Sequence, residues 1–229
     1  MITFKPLAAV AAAALGLIAG AAHAADLAPA PLPVPTAEAL PGLYVHVGPA
    51  GLIMDEGATI RVAGQKYPGA TIAIKSQLTP SVELGYFVSP NLAVSFTGGL
   101  PPLAKVEADG TLKGSPPFGK ASYGPVTLTA HYHFMDLGRV QPYVGFGAAY
   151  MYVFDDKDGL LSDLKVKQAL GVAFQAGADI MIDQHWGVFV DAKKAILRTH
   201  ATGFLGPFPV RADVRLDPTV LSGGVTYRF

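Results

Sequence analysis

His131 and His133 are the residues of the sequence best suited by type and spacing to metal binding or acid–base chemistry. They lie in the segment PVTLTAHYHF. Residues two apart in a β-strand point to the same face, so the two rings share one side of a strand. A zinc site needs further ligands, and His46 is the histidine whose place in an alternating strand could supply one. A hydrolase needs a nucleophile beside a base, and this face carries Thr127 and Thr129 but no serine. We therefore predict no metal site and no catalytic site here.

The composition of the chain excludes several functional classes. The 229 residues contain no cysteine, which removes disulfides, thiol chemistry and thiolate metal sites. Lysine and arginine together number 17, as do the acidic residues, so there is no basic excess to support nucleic-acid binding. No cofactor motif is present, and the length suits a single barrel or sandwich domain.

The first part of the chain has the pattern of a targeting segment. Lys5 precedes a short run rich in alanine and leucine, and Ala22-His23-Ala24 forms a small-residue cleavage site. We predict a signal peptide over residues 1–24. Residues 25–41 are rich in proline, which blocks regular structure and predicts an extended periplasmic tether. The folded domain is then residues 42–229.

Period-two alternation of apolar and polar residues recurs after residue 41 in segments of about ten residues, which is the pattern of β-strands. In PVTLTAHYHF, for example, Leu128, Tyr132 and Phe134 alternate with Thr129, His131 and the second histidine. The alternation predicts eight strands, over residues 43–52, 79–88, 91–100, 126–134, 141–154, 168–182, 186–197 and 214–229.

The connections and the aromatic residues point to a barrel that crosses a membrane. Every second connection is short and the others are long, as expected for short periplasmic turns and longer extracellular loops. Aromatic residues cluster where the strands end, at the level of lipid headgroups. Tyr227 and Phe229 end an alternating strand, which resembles the signal used by the barrel assembly machinery. We predict an all-β protein, an eight-stranded antiparallel transmembrane β-barrel in the cell outer membrane.

The inward face of the predicted barrel is polar near the short turns. The interior of an eight-stranded barrel is only wide enough for side chains to fill, and charges there must be paired. We predict a hydrogen-bonded lumen plug, which either fixes the barrel structurally or gates protons or solutes. Its members are Glu83, His131, His133, Asp179, Asp191 and Arg228.

Farther from the short turns the inward residues become small or apolar. Missing side chains leave space, and an apolar lining suits apolar solutes, although large residues opposite could instead fill that space. The predicted hydrophobic channel lining is Gly147, Ala149, Met151, Val153 and Gly171. The long loops also carry apolar residues, which either form a vestibule above the channel or cluster to order the loops. The vestibule candidates are Leu103, Phe118, Leu160 and Phe204.

Four segments resemble the OmpW family of small outer-membrane barrels. They are PVTLTAHYHF, VQPYVGFGAAYMYVFDD at 140–156, RLDPTVLSGGVTYRF at 215–229 and the hairpin YFVSPNLAVSF at 86–96. The resemblance implies a narrow barrel with a hydrophobic channel in its outer half, which passes small apolar molecules through a side opening into the membrane.

These observations predict a passive channel for small hydrophobic molecules rather than an enzyme. Two alternatives stay open: a structural or receptor barrel whose loops bind external surfaces, and a barrel enzyme that modifies lipid A. The expected partners are outer-membrane lipid and lipopolysaccharide, small apolar solutes, and the barrel assembly machinery during biogenesis. Nucleic acid is not an expected partner.

Overall fold

The computed structural model describes residues 42–229, so the predicted signal peptide and tether lie outside the described residues. Between residues 42 and 229 no helix is long and apolar enough to cross a membrane. The strands are β1 Leu43–Ile53, β2 Glu56–Val62, β3 Gln65–Lys66, β4 Ala70–Ala73, β5 Gln77–Phe87, β6 Leu92–Gly99, β7 Leu103–Gly110, β8 Gly119–His133, β9 Val140–Asp158, β10 Ser162–Val166, β11 Ala169–Met181, β12 Trp186–Leu205, β13 Phe208–Leu216 and β14 Thr219–Arg228.

Eight of these strands form a closed antiparallel barrel. Going round the wall, β1 pairs with β5, and the ladder continues through β6, β8, β9, β11, β12 and β14. β14 then pairs with β1, with Val225 opposite Val47, and this pairing closes the ring. A closed ring leaves no unpaired edge, which is the condition for a sheet to exist in lipid. The predicted fold is confirmed, and all eight predicted strands are present.

The outer surface of the barrel is apolar where the eight strands lie side by side. Phe146 is 69% exposed and Leu128 is 54% exposed, although both belong to central parts of long strands. At the short-turn end, Tyr227 packs edge-on against Trp186, with 4.6 Å between ring centroids, and against Phe229 at 4.9 Å. Aromatic residues at the ends of an exposed apolar band are typical of a lipid-facing surface.

The long connections are strands rather than the loops that we expected. β8, β9 and β12 begin or end several residues beyond their predicted limits, and the five strands β2, β3, β4, β7 and β10 lie within connections predicted as loops. The predicted strand 214–229 is two strands, because β13 begins within the predicted loop and ends at Leu216, and β14 begins at Thr219. β12 shows how the wall continues, because its first half pairs with β14 and its second half pairs with β13. The barrel wall therefore extends beyond the membrane on the side of the long connections.

The two faces of the wall exchange polarity in this extension. In β13 the apolar side chains of Val210, Val214 and Leu216 are buried, and the intervening charged residues point outward. Among these, Asp213 accepts hydrogen bonds from Arg61 and lies 2.7 Å from the His200 ring nitrogen. The Arg61 and His200 contacts hold the pKa of the Asp213 carboxyl below its usual range. Water outside the extension accounts for its charged outer face.

A charge placed on the lipid-facing band will destabilise the barrel. Phe146→Arg puts a cation near the middle of the band and should cost about 2–4 kcal/mol of unfolding free energy. Urea-induced unfolding in lipid vesicles, followed by tryptophan fluorescence, measures this cost. The control is Phe208→Arg, at an exposed residue of the extracellular β12–β13 hairpin, which should change stability by about 0.5 kcal/mol or less. Equal losses in the two variants would contradict the assigned membrane position.

Candidate functional site

The lumen between the short turns and the middle of the barrel is filled by polar side chains. All six predicted plug residues are there, none more than 6% exposed: Glu83, His131, His133, Asp179, Asp191 and Arg228. The alternation of each strand brings them inward, and the barrel closure brings strands far apart in sequence into contact. Further buried polar residues join them, namely His46, Gln175 and Lys193.

The upper layer of the plug centres on the ammonium group of Lys193. Its Nζ lies 2.9 Å from Glu83 Oε2 and 2.7 Å from Asp191 Oδ1. The amide of Gln175 donates to the same two carboxylates, at 3.1 Å and 2.8 Å. Tyr143 donates its hydroxyl to Asp191 at 2.9 Å. Each carboxylate therefore has several donors, which compensates for the cost of removing its charge from water.

The lower layer pairs Asp179 with Arg228. The guanidinium Nη2 donates to Asp179 Oδ2 at 2.8 Å, and the same guanidinium lies over the Phe87 ring at 5.2 Å. His46 connects this layer with the upper one. Its Nε2 is 3.0 Å from Asp179 Oδ1 and its Nδ1 is 3.6 Å from Glu83 Oε1, although neither contact is aligned as a hydrogen bond. The two ion-pair groups therefore form one network across the lumen.

The two histidines that share a strand face have different surroundings. His131 Nε2 lies 2.7 Å from Thr129 Oγ1 and 2.9 Å from Gln175 Oε1, so this ring belongs to the hydrogen-bonded network. The ring of His133 packs against Phe87 and Tyr143, each at 4.8 Å between centroids. Neither nitrogen of His133 has a hydrogen-bond partner within residues 42–229.

The sequence predicted no serine beside the histidine pair, and this prediction is wrong. A serine does lie beside the histidine pair, because Ser95 Oγ is 3.2 Å from His131 Nε2. Ser95 belongs to β6, which pairs with β8, so the contact crosses strands and is not visible within one segment. Both residues are 1% exposed and sit within the packed plug. In the described part of the chain, no three histidine, cysteine, aspartate or glutamate residues are arranged to hold a metal ion.

Above the plug, the extracellular half of the barrel encloses an apolar cavity of about 80 Å³. Met151 and Val153 of β9 line it, together with Phe118 just before β8. The polar groups in its wall are the hydroxyls of Thr199 and Tyr123, and the latter contacts the sulfur of Met54 at 3.9 Å. A cavity of this composition offers dispersion contacts to an apolar molecule and few partners to water.

Three of the five predicted lining residues, Gly147, Ala149 and Gly171, do not line the cavity. A side chain at Gly147 would lie 2.0 Å from the carbonyl oxygen of Leu128, and one at Gly171 would lie 1.9 Å from that of Ile196. These glycines allow neighbouring strands to approach closely and leave no open space in the lumen. Ala149 is buried in the apolar cluster that surrounds the cavity.

Only some of the vestibule candidates lie near the cavity. Leu160 packs against the apolar cluster, whereas Leu103 and Phe204 are 52% and 44% exposed and do not line the cavity. Much of the cavity wall comes instead from strands that lie wholly or largely in connections predicted as loops. The lining residues that were missed include Ile60 of β2, Ile72 of β4, Val106 of β7, and Val210 and Val214 of β13. For β13, the alternation VRADVRL at 210–216 was the sequence pattern that could have predicted the strand.

A closed barrel with a lipid-facing apolar band, a sealed polar lumen and a short-turn end defines a small outer-membrane β-barrel protein. The model of the OmpW family matches residues 42–229, and the chain belongs to this family. The family and the outer-membrane location predicted from sequence are confirmed.

Relatives at similar identity cover most of the chain. Outer membrane protein AlkL of Ectopseudomonas oleovorans is 34% identical over 175 residues, which is 76% of each protein. The dibenzothiophene metabolism operon protein PahQ of Pseudomonas aeruginosa is 34% identical over 193 residues, covering 84% of this chain and 90% of the relative.

Solved structures of outer-membrane proteins have the same fold. The crystal structure of OprG from Pseudomonas aeruginosa aligns with a TM-score of 0.76 at 24% identity, covering 82% of this chain and 95% of that one. The solid-state NMR structure of AlkL in DMPC bilayers aligns with a TM-score of 0.67 at 31% identity, covering 88% and 97%. The second structure was determined in a lipid bilayer, which agrees with the lipid-facing band of this barrel.

Because Lys193 belongs to the plug, the unfolding free energy should depend strongly on Lys193 and weakly on Lys194, its neighbour in sequence. Lys193→Met leaves two buried carboxylates without their shared cation and should cost about 3–5 kcal/mol. Lys194→Met is the matched control, because Lys194 is on the opposite face and bonds the carbonyl oxygen of Asp217 at 2.6 Å. Its loss should be about 1 kcal/mol. Urea unfolding of both refolded variants tests this, and a control loss as large as that of Lys193→Met would refute the ion-pair account.

Proposed function

We propose that the protein is a passive, non-enzymatic channel for small hydrophobic molecules, which it releases sideways into the membrane. The apolar cavity directly above a packed polar plug is the observation that carries the proposal. The names of two relatives support the class of solute, since PahQ and DoxH are named for a dibenzothiophene metabolism operon and dibenzothiophene is an apolar aromatic compound. In the alternative as an enzyme, Ser95 and His131 would have to react inside the plug, where both side chains are 1% exposed.

A solute that enters the cavity must leave through the wall, because the plug fills the lumen below it. Two seams of the extracellular wall lack a backbone ladder, one between β2 and β4 and one between β9 and β10, and the second borders a groove on the outside. β9 pairs with β11 as far as Met151, opposite Ala169, and no backbone ladder joins its upper part to β10. Side-chain carboxylates close this seam instead. Asp156 accepts from the amide of Val166 at 3.1 Å, and Asp158 accepts from that of Leu164 at 3.0 Å.

The same seam separates the cavity from a groove on the outside of the barrel. Val153 and Val166 line both the cavity and this groove. Phe154 and Gln168 form other parts of the groove wall, and Phe154 is 56% exposed. A solute that passes between the two valines reaches this groove, whose other lining residues include the polar Asp155, Asp156 and Lys167, and enters lipid beside Phe154. Because the cavity and the membrane are both apolar, the overall transfer carries little hydrophobic cost and no energy source is needed.

Filling the cavity should stop uptake. Ala121→Phe adds a ring to a residue that lines the cavity, whereas Ser122→Phe, its matched control, adds the same ring on the outer face. Uptake of dibenzothiophene by cells that lack the native protein and express each variant is the measurement. We expect Ala121→Phe to fall to the level of cells without the protein and Ser122→Phe to match the wild type. A charged solute should enter equally in all strains, and equal dibenzothiophene uptake with and without the wild-type protein would end the channel proposal.

Locking the seam should also stop uptake without filling the cavity. The double variant Asp156→Cys/Val166→Cys can form a disulfide across the seam, since the native chain has no cysteine to compete. Oxidation should reduce dibenzothiophene uptake to background, and reduction should restore it in the same cells. Thr202→Cys/Arg211→Cys joins directly paired residues of β12 and β13 and should leave uptake unchanged when oxidised. Unimpaired uptake by the oxidised seam variant would place the exit elsewhere.

A further inference from the structure

Three lysines on neighbouring strands stand side by side on the outer face of the extracellular wall. In the backbone register, Lys105 of β7 is directly opposite Lys120 of β8, and Lys120 is directly opposite Lys157 of β9. All three side chains are exposed. Direct cross-strand partners have Cβ atoms about 5 Å apart, and like charges in that position are destabilising. A row of three cations in register therefore carries a cost that an anion bound across it would remove.

Acidic side chains of the chain itself compensate little of this charge. Within residues 42–229, neither Lys105 nor Lys120 lies within ion-pair distance of a carboxylate. Lys157 is 3.8 Å from Asp155, and both of these side chains are more than half exposed, so the pair contributes little. The nearby carboxylate of Glu107 is taken by Lys75 at 3.1 Å. The row is thus an open cationic site.

In the same register, Leu103, Ser122 and Asp155 lie immediately on the membrane side of the row, and apolar side chains flank Ser122 and Asp155 there. Leu103 precedes Lys105 by two residues on the same face and is 52% exposed. The ring of Phe154 lies over Gly124, where a Cβ atom would come within 2.9 Å of it, and it packs edge-on against Tyr152 at 4.7 Å. Gly124 has no side chain to displace the ring, so Leu103 and Phe154 provide exposed apolar surface beside Ser122 and Asp155, below the lysines. Cations directly above such a surface match a ligand with an anionic head and hydrocarbon chains.

We propose that Lys105, Lys120 and Lys157 bind the phosphate groups of lipopolysaccharide, with its acyl chains lying along Leu103 and Phe154. The location supports this occupant, because the row lies on the extracellular side of an outer-membrane barrel, next to the lipid-facing band. Phosphate groups bring more than one negative charge to three amines, and charge-assisted hydrogen bonds to phosphate are among the stronger contacts that lysine makes. The site is on the outer wall and is independent of the proposed channel.

Binding of purified lipid A by the folded protein in detergent micelles tests the proposal. Isothermal titration compares bisphosphorylated lipid A, enzymatically dephosphorylated lipid A and inorganic phosphate. Lys105→Gln/Lys120→Gln/Lys157→Gln should weaken binding of bisphosphorylated lipid A by about tenfold or more, since each lysine near an anionic lipid surface contributes appreciably. The control Lys66→Gln/Lys113→Gln/Lys165→Gln removes the same charge from exposed lysines outside the row and should stay within about twofold of the wild type.

Each other outcome would overturn the proposal. Equal losses in the two triple variants would show a non-specific charge effect, and unchanged binding in the row variant would remove the site. Binding of dephosphorylated lipid A or of inorganic phosphate as tight as that of bisphosphorylated lipid A would contradict recognition of a phosphorylated lipid.

A thermal melt gives an independent readout. Without lipid A, Lys120→Gln should melt at or above the wild-type temperature, because it relieves two like-charge contacts; a lower melting temperature would contradict the repulsion on which the proposal rests.

Discussion

The structure depends on a reversal of polarity along the barrel axis. Near the short turns, lipid surrounds the wall and polar side chains fill the lumen. Beyond the membrane, water surrounds the wall and apolar side chains fill the interior. β12 shows both halves in one strand, since Asp191 and Lys193 point inward near its start, whereas Leu197 points inward and His200 outward near its end. The alternation of the strand never breaks; only the chemical character of its two faces changes.

This reversal explains which parts of the fold could be predicted from the sequence. An apolar outer face beside lipid produces a long alternating pattern with aromatic ends, so the eight membrane strands were recognisable. The extracellular strands have short ladders and a charged outer face, which in the sequence looks like a connecting loop. VRADVRL at 210–216 alternates as clearly as the membrane strands. Its inward residues form part of the cavity, so placing the first part of this strand in a loop also meant missing part of the candidate site.

The residues of the candidate site were likewise predictable only in part. Strand parity was sufficient to place Glu83, Asp179 and Arg228 in the lumen, because parity depends only on position within a strand. Partners across strands depend on register, which one sequence does not reveal, and so the contact of Ser95 with His131 was missed. Glycine is ambiguous for a related reason. The absence of a side chain at Gly147 or Gly171 could mean open space or close strand approach. In the structure, carbonyl oxygens of neighbouring strands lie about where a Cβ atom would be, so the strands approach closely there.

The packed plug has a consequence for the whole cell envelope. Ions and water-soluble antibiotics cross the outer membrane where a barrel offers them a continuous wet path, and the layers around Lys193 and Arg228 fill that path in this barrel. A barrel with a filled lumen adds no continuous wet path for ions to the envelope. The selectivity of the proposed route would then be set by the oil–water partition coefficient of a compound, together with the size that the cavity admits.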